Sequence, residues 1–80
     1  MKVRKKPIIV EAIQFKIHNL AEIQDLDTEG KITQNADNTL TIETLEGNVR
    51  ARLDDWIIKG IKGELYPIKD NIFKETYEEV

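Results

Sequence analysis

The chain has 80 residues, of which 40% are hydrophobic and 34% are charged, with no cysteine and a formal net charge of −3 at pH 7. This length predicts one small domain over residues 1–80, since a chain of this size buries only about 60% of its unfolded surface. The composition excludes disulfides and thiolate metal sites, and the longest apolar runs of three residues exclude a membrane-spanning helix.

Charge is unevenly distributed along the chain. Residues 1–16 have five basic groups and one acidic group, a sum of +4, whereas the other 64 residues have seven basic and fourteen acidic groups, a sum of −7. A basic arm on an acidic body can contact nucleic acid or another anionic partner. It can equally be a solubilising segment before the first strand. The acidic charge of the rest of the chain favours this second interpretation. No apolar stretch of signal-peptide length follows Lys2 to Lys6, so we expect a cytoplasmic protein.

The first two elements are a strand and a helix. Residues 7–15 predict a strand with apolar side chains on both faces, which is typical of an interior strand covered above and below. Residues 19–26 predict the main helix, because Asn19 and Glu22 occupy capping-box positions and apolar residues recur at spacing three. A helix of about two turns is unstable in isolation, so it must pack on the sheet.

Hairpins fill most of the remaining sequence. Alternating apolar and polar residues between Asn-, Asp- and Gly-containing turns predict strands over residues 31–34, 39–45, 49–53, 56–59 and 64–68. In the last hairpin, Gly60 or Gly63 is expected to have a positive φ. Pro67 places the returning strand at a sheet edge or at its own end.

The C-terminal residues predict a short helical turn. Asp70 is positioned to cap it, and Phe73 and Tyr77 are expected to stack at spacing four. Taken with the preceding elements, this predicts an α+β fold. It has an antiparallel sheet of about five strands built from hairpins, with one main helix packed on it and a short C-terminal helical turn.

Two segments at opposite ends of the chain form a distinctive pattern, RKKPxxVEAxQ at residues 4–14 and DWIIxGxxGExYP at residues 55–67, followed by IFxxTYE at residues 72–78. In these segments the sequence resembles a family of small phage and prophage proteins that has no established activity. The resemblance implies a phage gene product that acts in the cytoplasm of a bacterial host. The family has Pro-Gly where this chain has Leu53-Asp54, so Asp54 is expected to have a positive φ, which Asp tolerates.

Few catalytic chemistries fit this composition. There is no serine or cysteine, and His18 is the only histidine, which excludes the common nucleophiles and a multi-histidine zinc site. The adjacent pair Asp54 and Asp55 can in principle hold a cation or act as acid and base. A turn role is favoured, in which Asp55 accepts backbone N–H groups and fixes the entry to the hairpin. We therefore predict a protein that is not an enzyme and needs no cofactor or metal.

Glu11 is predicted to lie on an otherwise apolar strand face, where a buried carboxylate needs a partner or a shifted pKa. Arg50 and Arg52 share one side of their strand and can supply the partner. An ion pair between strands is favoured over a polar group lining a small-ligand pocket, and both interpretations stay open. At least one of the two arginines is expected to face an anionic partner, internal or external.

The leading hypothesis is a non-enzymatic, phage-encoded accessory protein that forms a homo-oligomer, because the core is small and has no covalent staple. It would bind a host protein or a small ligand. The alternative is a nucleic-acid-binding module using the arginines and the basic arm, with Trp56 and Tyr66 as stacking platforms. A pI of about 5.1 opposes that alternative, and Trp56 is expected to be largely buried. The candidate binding residues are Glu11, Arg50, Arg52, Asp55, Trp56 and Tyr66.

Overall fold

The computed structural model describes all of residues 1–80 and contains six strands and two helices. In chain order these are β1 (Glu11–Gln14), α1 (Leu20–Leu26), β2 (Ile32–Gln34), β3 (Leu40–Thr44), β4 (Gly47–Ala51), β5 (Trp56–Lys59), β6 (Leu65–Ile68) and α2 (Asp70–Thr76). The strands form two antiparallel sheets, sheet A in the order β1-β5-β6 and sheet B in the order β2-β3-β4. The predicted α+β class is confirmed, but the prediction of one five-stranded sheet with a single main helix is wrong. Neither helix is long and apolar enough to cross a membrane.

The division into two sheets occurs at the turn after β4. Asp54 has a φ of +76°, which confirms the left-handed conformation expected there. After this turn the backbone pairs with Phe15, the residue that follows β1. The Asp54 N–H donates to the Phe15 carbonyl at 2.8 Å, and the Phe15 N–H donates to the Asp55 carbonyl at 2.8 Å. β5 therefore pairs with β1 instead of extending sheet B.

The main core lies between the two sheets and α1. It consists of the buried side chains Phe15, Ile23, Leu26, Leu40, Ile42, Ala51, Ile57 and Leu65. Ile58 is equally buried but lies outside this cluster, because neighbouring residues of a strand point to opposite faces. Its face of sheet A is covered by α2, whose Phe73 stacks on Trp56 of β5. Sheet A is therefore a middle layer with both faces covered.

Asn19 fixes the loop that joins β1 to α1. Its Oδ1 accepts the Lys16 N–H at 2.8 Å and its Nδ2 donates to the Gln14 carbonyl at 2.6 Å. The predicted helix cap is therefore only partly right. Asn19 directly precedes the helix, but its side chain makes no capping hydrogen bond.

The first ten residues, here called the arm, lie outside both sheets. They form no helix or strand and make no hydrogen bond or ion pair with the rest of the protein. The strand predicted over residues 7–15 begins only at Glu11, because β5 ends at Lys59, directly opposite Glu11. β1 is also an edge strand of sheet A, not an interior one. One edge of β1 is unpaired, and of its residues Glu11 is exposed while the other three are half-buried.

The β5–β6 hairpin has the predicted form. β6 is an edge strand, which is where a proline without an N–H is tolerated. Pro67 lies opposite Ile57. Gly63 has a φ of +83°, whereas Gly60 does not have a positive φ. The Gly60 N–H donates to the Glu64 carbonyl at 2.8 Å, which closes the turn.

We expect Gly63→Ala to lower the free energy of unfolding by about 1–2 kcal/mol, because a Cβ is strained in the left-handed region. Gly60→Ala is the matched control in the same turn. The nearest atoms to a Cβ there belong to the flexible Glu64 side chain, whose carboxylate can rotate away, so the change should stay within about 0.5 kcal/mol. Urea unfolding of both variants measures the difference. Equal losses would show that the conformation of Gly63 is not what the turn requires.

Candidate functional site

Three aromatic rings form a row on the α2 face of sheet A. The ring centroids of Trp56 and Phe73 are 3.9 Å apart with their planes 6° from parallel, and those of Phe73 and Tyr77 are 5.3 Å apart at 20°. The second contact confirms the stacking predicted from the spacing of four. Trp56 is half-buried, less than the sequence predicted, because it packs on a two-turn helix and not in the main core.

Asp70 connects this aromatic row to β1. Its Oδ1 accepts hydrogen bonds from Trp56 Nε1 at 2.9 Å and from Gln14 Nε2 at 3.3 Å, and its Oδ2 lies 3.0 Å from Lys74 Nζ. The prediction that Asp70 caps α2 is wrong, because Lys69 occupies the N-cap position. The carboxylate instead binds the only polar atom of the Trp56 side chain, so that atom is not free to bind a ligand.

The Trp56 and Lys74 hydrogen bonds hold the pKa of Asp70 below its ordinary value of 3.8. A carboxyl group with a lowered pKa in the folded protein contributes stability above its unfolded pKa and loses that contribution as the pH falls through the folded value. Unfolding should therefore become easier below about pH 4. Asp70→Asn keeps an acceptor for Trp56 but does not titrate, so its acid-induced loss of stability should be shallower. Parallel slopes of stability against pH for both proteins would contradict this assignment.

Tyr66 lies on the same sheet face but outside the aromatic row. Burial is the main cause, and the hydrogen bond with Tyr77 the second cause, of a pKa of Tyr66 that is raised to about 12. The ring borders two surface grooves, described below, and Tyr66 is the one predicted binding residue that lines either of them.

The two adjacent aspartates serve the turn before β5. Asp55 Oδ2 accepts the Arg52 N–H at 2.9 Å, which confirms its predicted role as an acceptor of backbone N–H groups. Asp54 forms an exposed ion pair with Lys16. The two carboxylates thus have separate partners, and no group of three or more His, Asp or Glu side chains is arranged to hold a metal ion.

The structure separates Glu11 from the two arginines. Glu11 is exposed at the start of β1 in sheet A, opposite Lys59, so the prediction of a buried carboxylate is wrong. Arg50 belongs to sheet B, and its Nη1 lies 3.9 Å from Asp37 Oδ2 in an exposed pair. Arg52 is exposed beyond the end of β4. The favoured ion pair between Glu11 and an arginine is therefore absent, because the strands belong to different sheets.

One surface groove lies between the arm and the body. It has a volume of about 720 Å³ and is called the arm groove. The arm contributes two lysines and four apolar residues, while β6, α2 and the segments beside them supply the other wall. The lining residues are Lys5, Lys6, Pro7, Ile8, Ile9, Val10, Gly60, Ile61, Glu64, Tyr66, Thr76, Tyr77, Glu78 and Val80.

A second groove, of about 510 Å³, lies between the β3–β4 hairpin and β6 and is called the hairpin groove. Three carboxylates and several apolar side chains line it together with one lysine. The lining residues are Lys31, Glu43, Thr44, Leu45, Glu46, Val49, Glu64, Leu65, Tyr66 and Pro67. The sequence analysis missed this site, because Glu43 to Glu46 resembles an ordinary solvated hairpin end. The available signal was Leu45, an apolar side chain between two acidic residues at a hairpin end.

The six predicted binding residues do not form one site. Trp56 and Tyr66 share a sheet face, Asp55 fixes a turn, Arg50 and Arg52 lie at sheet B, and Glu11 lies at an edge of sheet A. The residues that do converge are those of the two grooves, which Glu64 and Tyr66 border jointly. No protein-family model, curated protein or solved structure matches this chain.

Proposed function

We propose that this chain is a small phage-encoded accessory protein that acts by binding, without catalysing a reaction, in the cytoplasm of the host. Its target in this proposal is a host protein or a small ligand. The resemblance to small phage proteins supports the origin. The exposed arm beside the arm groove supports the mode of action, and it is the observation on which the proposal rests.

The arm combines exposed apolar and basic side chains. Val3 and Ile9 are 84% and 80% exposed, and Ile8 is 48% exposed. The four cations of the arm, Lys2, Arg4, Lys5 and Lys6, form no ion pair within the chain. Exposed apolar clusters rimmed by charge are typical of interaction sites. The arm therefore fits a target surface that is both apolar and acidic.

Nucleic acid is the alternative target, because phosphates also attract the cations of the arm. Two observations make it the weaker proposal. Phe73 stacks on one face of Trp56, and Asp70 binds its N–H, which limits Trp56 as a platform for bases. Arg50 is already next to Asp37, and residues 17–80 carry a net charge of −7.

The test is native mass spectrometry of the protein isolated from host cells, comparing wild type with Ile9→Asp. Ile17→Asp is the matched control, because Ile17 is 69% exposed but lies outside the arm. A bound protein or small molecule retained by wild type and by the control, but lost from Ile9→Asp, supports the proposal. Bound nucleic acid supports the alternative. If all three proteins retain the same species, or none retains any, the arm is not the binding element.

A further inference from the structure

We propose that the arm of one copy of this chain binds in the hairpin groove of a second copy, so that two copies exchange arms reciprocally. The inference rests on the proposed function, in that it treats the arm as a binding element. It names the first partner of the arm as a second copy of the same chain. The contact would combine four basic groups with an acidic, apolar groove.

The hairpin groove has the chemistry that the arm requires. Glu43, Glu46 and Glu64 are exposed and form no ion pair within 4 Å. Between them lie Leu45, which is fully exposed, and Val49, which is 37% exposed. The groove therefore presents unpaired negative charge beside apolar surface.

The single cation of the groove does not neutralise these carboxylates. Lys31 Nζ lies 3.3 Å from Glu29 Oε2, which is not part of the groove. Four of the eight Lys and Arg side chains that form no ion pair lie together in the first six residues, so the arm is the densest group of free cations in the chain.

The arm also has unpaired backbone groups. Ile8, Ile9 and Val10 form a β-branched run that favours a strand, yet β5 ends before it can pair with them. The hairpin groove lies beside β6 and β4, which are edge strands of their sheets, each with one unpaired edge. An extended segment placed there gains backbone partners that the arm lacks in its own molecule.

The position of the arm favours a second copy over the same molecule. The arm already borders the arm groove, on the side of sheet A where Tyr66 and Tyr77 lie. The hairpin groove shares Glu64 and Tyr66 with the arm groove but extends to Leu65 and Pro67, which point to the other face of β6, and no residue of the arm lines it.

The test uses two charge-reversed variants. The arm variant is Arg4→Glu with Lys5→Glu and Lys6→Glu, and the groove variant is Glu43→Lys with Glu46→Lys. All five positions are exposed, so both variants should retain the wild-type circular dichroism spectrum. In each variant the arm and the groove have net charges of the same sign. We expect the dissociation constant of each homodimer to rise about tenfold or more, which corresponds to about 1.4 kcal/mol.

A mixture of the two variants restores complementarity at both contacts, since an acidic arm meets a basic groove and a basic arm meets an acidic groove. We expect a heterodimer whose affinity is close to that of wild type, detected by native mass spectrometry with one variant isotopically labelled. Arg52→Glu with Lys62→Glu and Lys69→Glu has the same net charge as the arm variant and should dimerise normally, because these exposed residues line neither groove. Added salt should weaken the wild-type dimer, because exposed charges are screened beyond about 10 Å at 0.1 M.

Three outcomes would overturn the inference. Wild type that keeps its monomer mass of 9.3 kDa at every concentration has no dimer. An arm variant that dimerises as tightly as wild type has its interface elsewhere, for example at the free edge of β1. If the two variants fail to form a heterodimer, the arm of one copy does not bind in the hairpin groove of the other.

The proposed function can fail independently of this inference. A wild-type protein that exchanges arms but retains no host molecule supports the inference and contradicts the function. A monomer that retains a target through Ile9 supports the function and contradicts the inference.

Discussion

Replacing Trp56 by Ala should lower the free energy of unfolding by about 3 kcal/mol, the lower end of the range for removing a large aromatic side chain. Trp56 belongs to β5 of sheet A and holds α2 against this sheet. Its ring stacks on Phe73 at 3.9 Å, and its N–H donates a hydrogen bond to Asp70. The α2 helix has only seven residues and no side-chain cap, so most of its stability must come from this packing. We expect α2 to detach before the rest of the protein unfolds.

Trp56→Phe is the control for this prediction. It keeps the aromatic stack and removes the N–H donor, so its loss should be smaller than that of Trp56→Ala. Urea unfolding followed by circular dichroism gives the stabilities, and the chemical shifts of Phe73 and Tyr77 report whether α2 remains docked. Melting of Trp56→Ala close to that of wild type would mean that Trp56 is a surface binding residue with no structural role.

Replacing Ile57 by Ala should cost about 3–4 kcal/mol, because large-to-small changes in a core add a cavity to the lost transfer free energy. Ile57 is fully buried in the main core, where sheet A faces α1 and sheet B. In a domain of this size about 1 kcal/mol lowers the Tm by about 4–8 °C, so the melting temperature should fall by about 12 °C or more.

Ile61→Ala is the matched control, since Ile61 lies in the adjacent turn and is 68% exposed. Its stability should stay within about 0.5 kcal/mol of wild type. Differential scanning calorimetry of the two variants separates the stability lost by removing a buried side chain from the stability lost by changing an exposed residue of the hairpin turn. A similar loss in both variants would contradict the layered core described for sheet A.

Local features of this fold were predictable from the sequence, and the choice of strand partners was not. The bounds of β5 and the edge position of Pro67 follow from local backbone chemistry, and the left-handed turn at Asp54 was implied by the glycine that the resembling family has there. The alternation of side chains along a strand identifies its faces but not its neighbour. The pairing of β1 with β5 depends on contacts across more than forty residues, and for this reason the single predicted sheet was wrong.

The same distinction applies to the candidate site. Asp55 was identified correctly because its hydrogen bond lies within a four-residue turn. Glu11 was misplaced because its environment depends on where β5 ends. The hairpin groove was missed because Glu43 and Glu64 are distant in sequence and meet only when β6 packs against sheet B.

The pairing of β1 with β5 also determines the order in which this protein can fold. The three strands of sheet B are consecutive hairpins, so their contacts close short loops at little entropic cost. Sheet A must first close the 41-residue segment between Gln14 and Trp56, which is the slower kind of step. During synthesis, β1 therefore leaves the ribosome without a partner and stays exposed until β5 has been translated. We expect sheet B to be the early folding unit, and β1 to pair only when the last third of the chain, which contains β5, is complete.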